Sequence, residues 1–280
     1  PSAASWDNNY VETPSVAKRG NTYYLAYSAW PKLPLENKRY QIGVASLDSK
    51  NLAADLLNTA VVFKRLRKNP VIPRNNDTGS GFDRENTQEP SLVYRPDLDR
   101  FEIYYVGIRA RQPLAPDQPL KDIAQLGLGR VCFNNIFNKV PCSRVVTANP
   151  VLLNTNMPDV SFYGGKYFLA YSGLNELRSA RARFPYGYKK IYLRSSVNGV
   201  DWGKPTALLK RSFNSANERD GIHSASVSFG EAGAFTAAYQ GWKLIPGADC
   251  IKNGRRIMLP DAAGNCQQSA LLIVQGQRGR

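Results

Sequence analysis

The chain has 280 residues, 42% of them hydrophobic and 21% charged, and its 37 Lys and Arg against 22 Asp and Glu give a net charge of +15. That composition is globular and long enough for one large β domain or two ordinary ones; no apolar run reaches the ~18 residues of a membrane span, and the opening PSAASWDNN has neither the basic nor the apolar region of a secretory signal, so such a segment is expected to have been removed or never included. The positive field attracts polyanions over about a Debye length, but the basic residues are scattered (Lys64, Arg65, Arg67, Lys68; Arg178, Arg181, Arg183; Arg255, Arg256) and carry no nucleic-acid motif, so no nucleic acid partner is expected.

In chain order, one pattern recurs. After Trp6-Asp7 comes VETPSVAKRGNTYYLAYSAW (11–30), in which Tyr23, Leu25 and Tyr27 alternate with Tyr24, Ala26 and Ser28, the period of a strand. QIGVASLDS follows as a third strand. NLAADLLNTA (51–60) is at most one or two helical turns, and Asn69-Pro70-Val71 closes the unit. Phe82-Asp83 then precedes QEPSLVYRPDLDRFEIYYVGI (88–108), with IAQLGLGRVCF and Asn149-Pro150-Val151 behind it. MPDVSFYGGKYFLAYSGL (157–174) leads to KIYLRSSVNGVDW, and HSASVSFGEAGAFTAAYQGW (223–242) to SALLIVQG. Pro14, Pro90, Pro158 and Ala225 mark the same point in the four copies, at spacings of 76, 68 and 67 residues. Antiparallel strands repeated at that period predict an all-β chain, a β-propeller occupying residues 1–280 as a single domain. A β-sandwich would not carry the same marks at such regular distances.

The four cysteines fall into two local pairs, Cys132 with Cys142 and Cys250 with Cys266, each bracketing a loop. Local disulfides are the simplest pairing, although four cysteines allow three. Disulfides imply an oxidising compartment, so a secreted or periplasmic protein is expected.

ETPSV…YYLAYSAW, EPSLVY…FEIYYVG and PDVSFYGGKYFLAYSG resemble blades of the five-bladed glycosidase propellers, the group of arabinanases, xylosidases, galactofuranosidases and invertase-like glycoside hydrolases. SSVNGVDW (195–202) is similar to the Ser-x-Asp-Gly-x-x-Trp loop between blade strands, and the resemblance spans roughly residues 6–242. It implies five blades; with four copies visible, either the ring has four blades or a fifth is degenerate, split between the termini or lost upstream of residue 1. It also implies a catalytic set of carboxylates delivered by the first strands of successive blades. Glu12-Thr13-Pro14, Glu89-Pro90 and Pro158-Asp159 match its three acidic contexts, so Glu12, Glu89 and Asp159 are the catalytic candidates. Such chemistry needs one carboxyl protonated to give its proton to the leaving oxygen, one ionised to attack the sugar or activate water, and a third to separate them. The order of these contexts differs from that of the group, and alignment of the copies puts Glu12, Gln88, Asn156 and His223 in one column with Glu89 and Asp159 in others. Strand-end capping or pairing with arginine is the alternative role for these acids.

Trp6, Asp7, Asp83, Asp220 and His223 are candidates for substrate binding, the aromatic for stacking and the acids for sugar hydroxyls; packing within the blades is the alternative for the aromatics, Phe82 included. The resemblance implies no required cofactor and allows an axial Ca ion near His223. The expected activity is hydrolysis of a furanosidic or acidic polysaccharide or oligosaccharide, by a monomer whose partner is a carbohydrate polymer of anionic character. A non-catalytic propeller holding an anionic polysaccharide and a glycoside phosphorylase are the alternatives.

Overall fold

The computed structural model describes residues 6–31, 40–58, 60–73, 82–83, 85–111, 124–142, 150–173, 190–212, 214–215, 217–218, 221–230, 234–245, 251–252, 255–256 and 266–277. The chain divides into two compact units, residues 1–111 with 125–153, and residues 112–124 with 154–280. Among the described residues only α1 (Leu52–Leu57) is α-helical, capped by the Asn51 side chain, which accepts from the Ala54 N–H. No helix among them is long and apolar enough to cross a membrane.

The first unit holds two antiparallel sheets of blade type. One runs β1 (Tyr10–Arg19), β2 (Thr22–Trp30), β3 (Gln41–Asp48), β4 (Lys64–Arg65). The other runs β5 (Asn86–Arg95), β6 (Arg100–Arg111), β7 (Ala124–Asn135), with β8 (Val140–Pro141) and β9 (Leu152–Leu153) both on the outer edge of β7. Alternation sorts their side chains. Tyr24 and Ala26 join Ile42, Val44, Leu92, Phe101 and Ile103 in the main core, while Tyr27 and Ala29 pack with Ala45 on the opposite face of β2. Full burial of a side chain such as Phe101 or Ile103 stabilises by about 1.5–3 kcal/mol.

The second unit holds β10 (Thr155–Tyr163), β11 (Lys166–Gly173), β12 (Lys190–Ser196), β13 (Thr206–Lys210), and then β14 (Gly221–Phe229), β15 (Ala234–Ile245) and the last strand, β18 (Cys266–Gln277). A small hairpin, β16 (Ile251–Lys252) with β17 (Arg255–Arg256), lies between β15 and β18 in sequence. The all-β propeller arrangement is as predicted, but the described residues form four blades, not five. Four sheets use every described strand apart from that hairpin, because β18 pairs with β15 from Ala234 to Ile245 and completes the fourth sheet.

Several sequence marks acquire a physical reason. Asn69 takes the place of a strand partner: its Oδ1 accepts from the Val44 N–H (2.9 Å) and its Nδ2 donates to the Val44 carbonyl (2.8 Å). In the SSVNGVDW loop, Asn198 Oδ1 accepts from the Val200 and Asp201 N–H groups, and Ser196 Oγ from the Gly199 N–H, where φ is 72°. A positive φ at that point suits glycine. The Cys132–Cys142 disulfide closes the β7–β8 turn as expected. Cys250, Asn149 and Asp220 lie outside the described residues.

The second blade also buries a charge. Glu102, with no exposed side-chain surface, receives Arg100 (2.6 and 2.9 Å) and Arg130 (2.9 and 3.1 Å) on its two oxygens. Burial pushes this carboxyl up, but Arg130 and Arg100 outweigh it and hold it below the usual glutamate value.

Candidate active site

Each sheet's first strand breaks register at the same place. The pairing shifts between Glu12 and Ser15, Gln88 and Ser91, Asn156 and Asp159, and His223 and Ser226. At each break the second residue is left-handed without being glycine: Thr13 (φ 51°), Glu89 (55°), Met157 (48°) and Ser224 (46°). Such backbone costs roughly 1–3 kcal/mol per residue and persists where surrounding structure enforces it, commonly at ligand sites. The marker prolines Pro14, Pro90 and Pro158 are the third residues of these bulges, and proline cannot donate to the ladder that the bulge interrupts.

In the first unit the bulges of β1 and β5 are tied through Ser28, which sits opposite Glu12 on β2 and is fully buried. The Thr13 hydroxyl donates to Ser28 Oγ (2.8 Å), and the Glu89 N–H donates to the same oxygen (2.8 Å). Glu89 is 6% exposed, and its carboxylate accepts from Gln88 Nε2 at 3.0 Å. The other Gln88 amide atom, Oε1, is buried with no donor among the described residues, an acceptor suited to a ligand hydroxyl. Glu12 is half-buried, and its carboxylate has no hydrogen bond or ion pair among the described residues. The structure therefore brings Glu12 and Glu89 onto neighbouring first strands of one unit, with a shared buried serine between their bulges.

Asp159 belongs to the second unit and sits one step further along its bulge. Its Oδ2 accepts from the Val227 N–H of β14 at 2.7 Å. Ser15 does the same job in the first unit, accepting from the Leu92 N–H at 2.9 Å. Burial pushes the Asp159 carboxyl up to about 6, against the opposing pull of the Val227 N–H. His223 occupies the Glu12 column of the fourth sheet, 4% exposed, with Nδ1 2.7 Å from Ser224 Oγ and Trp242 edge-on at 6.1 Å. Burial pushes the imidazole down to about 4, against a hydrogen bond with Gln240 that favours the protonated ring, so it is neutral at pH 7. No group of three or more His, Cys, Asp or Glu able to hold a metal ion occurs among the described residues.

The remaining candidates lie inside their blades. Asp7, 2% exposed, accepts from the Tyr27 hydroxyl (2.9 Å) and pairs with Arg65 (3.0 Å), while Trp6 stacks on Tyr27 at 5.9 Å. Asp83 likewise accepts from the Tyr105 hydroxyl (2.9 Å), with Phe82 5.8 Å from that ring. Glu218 repeats the arrangement with Tyr239 in the fourth blade. An acid before the first strand thus receives the tyrosine that marks the second strand in three of the four blades.

Ser28 and Gln88 were not among the sequence candidates. A signal for the serine exists: Ala-Tyr-Ser recurs at 26–28 and 170–172, and each serine faces the column residue of its blade, Glu12 or Asn156.

No family model and no curated protein matches this sequence. Among solved structures the chain is similar to an RGII complex of BT0996 (TM-score 0.60, 13% identity, covering 96% of this chain and 71% of that one). It is also similar to a thermostable family-43 glycoside hydrolase (0.55, 17%, 84% and 67%). A third, Zg3597, is a family 117 glycoside hydrolase produced by the marine bacterium Zobellia galactanivorans (0.58, 13%, 98% and 64%). At these identities the likeness is one of fold, and the fold these structures share with the chain is the β-propeller.

Proposed function

We propose that the protein is a glycoside hydrolase whose two working carboxylates are Glu12 and Glu89. The observation that carries this reading is the left-handed, buried Glu89, pinned through its N–H to Ser28 beside the Glu12 bulge. The left-handed backbone recurs in all four bulges, and among them only Glu89 carries a carboxylate there, held by Ser28 and Gln88. The propeller fold common to solved glycoside hydrolases supports it.

Glu89, whose carboxylate already accepts a hydrogen bond from Gln88, is the ionised partner that attacks the anomeric carbon or takes a proton from water. Glu12, with no such partner among the described residues, gives its proton to the departing glycosidic oxygen. Gln88 Oε1 accepts from a hydroxyl of the bound sugar. Asp159 keeps a structural part, bridging β10 to β14 as Ser15 bridges β1 to β5. Asp7 and Asp83 hold their tyrosines and build the blades.

Glu12→Gln and Glu89→Gln, assayed on furanosidic and acidic glycans and on aryl glycosides, test the assignment. Both should lose roughly 10²–10⁴ in kcat on natural glycans. On an aryl glycoside with a dinitrophenolate leaving group, which needs no proton, Glu12→Gln should recover most of its rate and Glu89→Gln should not. Unchanged turnover in both variants sinks the assignment, and binding without turnover of any glycan by the unaltered protein would make it a carbohydrate-binding propeller.

A further inference from the structure

Two of the chain's 37 Lys and Arg residues, Lys68 and Lys139, reach across between neighbouring loops of the first unit, on the edge of the sheets away from β1 and β5. Lys68, just beyond β4, donates to the Asn138 carbonyl (3.3 Å) in the β7–β8 turn. Lys139, in that turn, reaches back to the Pro70 carbonyl. The two ammonium groups cross between the loops, and carbonyl oxygens are the acceptors each has among the described residues; neither faces a carboxylate there. Each ammonium has three N–H donors and these contacts use one, so both retain donors for a further acceptor. Two cations held together without an anion repel, and burial together with the Lys68 charge holds the Lys139 ammonium below the usual lysine range. An oxyanion placed against both relieves that repulsion.

The turn that carries Lys139 is built to hold its shape. Ile136, 1% exposed, anchors it in the core, Asn135 Oδ1 accepts from the Asn138 N–H (3.1 Å), and the Cys132–Cys142 disulfide closes it from behind. Phe137, two residues from Lys139, keeps 42% of its surface exposed, and its ring is fixed edge-on to Tyr24 at 5.5 Å. A partly exposed aromatic ring in the same turn as Lys139, with two lysines that face no carboxylate among the described residues, fits a ligand with an apolar ring face and an acidic substituent. That is the chemistry of an acidic sugar. Nucleic acid fits less well, because it requires a basic groove tracking several phosphates.

We propose that Phe137, Lys139 and Lys68 form a surface site for an acidic glycan, the ring stacking on Phe137 and its carboxylate or sulfate ester lying against the two lysines. The site is separate from the Glu12–Glu89 pair and holds polymer without taking part in cleavage.

Native gels containing polygalacturonate, dextran sulfate or neutral dextran test it, using the full chain on the Glu89→Gln background so that cleavage cannot shorten the polymer. Polygalacturonate or dextran sulfate should retard the protein and dextran should not; the polymer that acts identifies the acidic group. Replacing Lys68 and Lys139 together by Gln should weaken retardation roughly tenfold, and Phe137→Ala several-fold, a change large enough to read because a polymer engages many sites. Lys166→Gln with Lys204→Gln, an equal loss of charge in the other unit, should change little. No retardation by either polyanion, or equal weakening by the two lysine pairs, overturns the proposal. So does tighter binding of a short DNA duplex with the same dependence on Lys68 and Lys139. Lysine-dependent retardation in a protein that cleaves no glycan leaves this site standing while the hydrolase reading falls.

Discussion

Asp159→Asn separates a structural from a catalytic role for the third acid. In the folded chain this carboxyl titrates near 6 instead of 3.8, because burial disfavours its charge more than the Val227 N–H favours it. The folded state therefore holds its proton more tightly than the unfolded state. Below about pH 4 both states are protonated and the shift costs nothing. As pH rises from about 4 to 6 the unfolded chain releases the proton first, stability falls, and above 6 the loss is complete. A difference of 3.8 to about 6 corresponds to about 2–3 kcal/mol. Asparagine keeps an oxygen for the Val227 N–H and carries no charge. The variant should match the unaltered protein near pH 4 and exceed it at pH 7.5 by up to about 2–3 kcal/mol, roughly 4–10 °C in melting temperature. His223 titrates in the opposite sense, its lowered value making stability rise with pH across about 4 to 6.5, but it is common to both proteins and cancels in their difference. Thermal melts across pH 4–8 measure that difference. A flat difference, or a variant less stable at pH 7.5, refutes the linkage argument. Loss of glycan turnover with stability as expected would instead return Asp159 to the catalytic set.

Two further outcomes concern the first unit's framework. Arg130→Met removes one of the two close arginines from the buried Glu102 carboxylate, leaving Arg100, the more distant Arg95 and the Tyr104 hydroxyl, and should cost roughly 3–5 kcal/mol at pH 7 in urea denaturation; because Glu102 titrates below its ordinary value, the gap should narrow as pH falls through that range. Cys132→Ala with Cys142→Ala opens a loop with a sequence separation of 10 and should cost about 2–3 kcal/mol by chemical denaturation, with weaker acidic-glycan binding as the β7–β8 turn loosens.

The repeat by itself determines most of the architecture. Period-two aromatics, the marker prolines and the recurring Tyr are local signals, and they fix which segments become strands and which strand comes first in each blade. The alignment column of Glu12, Gln88, Asn156 and His223 was legible for the same reason, since a bulge repeated in sequence is repeated in space. Blade number was not legible, because it depends on whether β18 pairs with β15 to complete the fourth sheet or seeds another. Nor was the division among the acids. Asp7, Asp83, Glu89 and Asp159 look equally available in a string of letters; only packing shows the first two under tyrosine hydroxyls, Asp159 holding the Val227 N–H, and Glu89 fixed in a left-handed bulge beside Ser28. Strand identity is a property of neighbours along the chain. What a carboxylate can do is set by the groups that reach it from other strands, and those only the tertiary structure brings together.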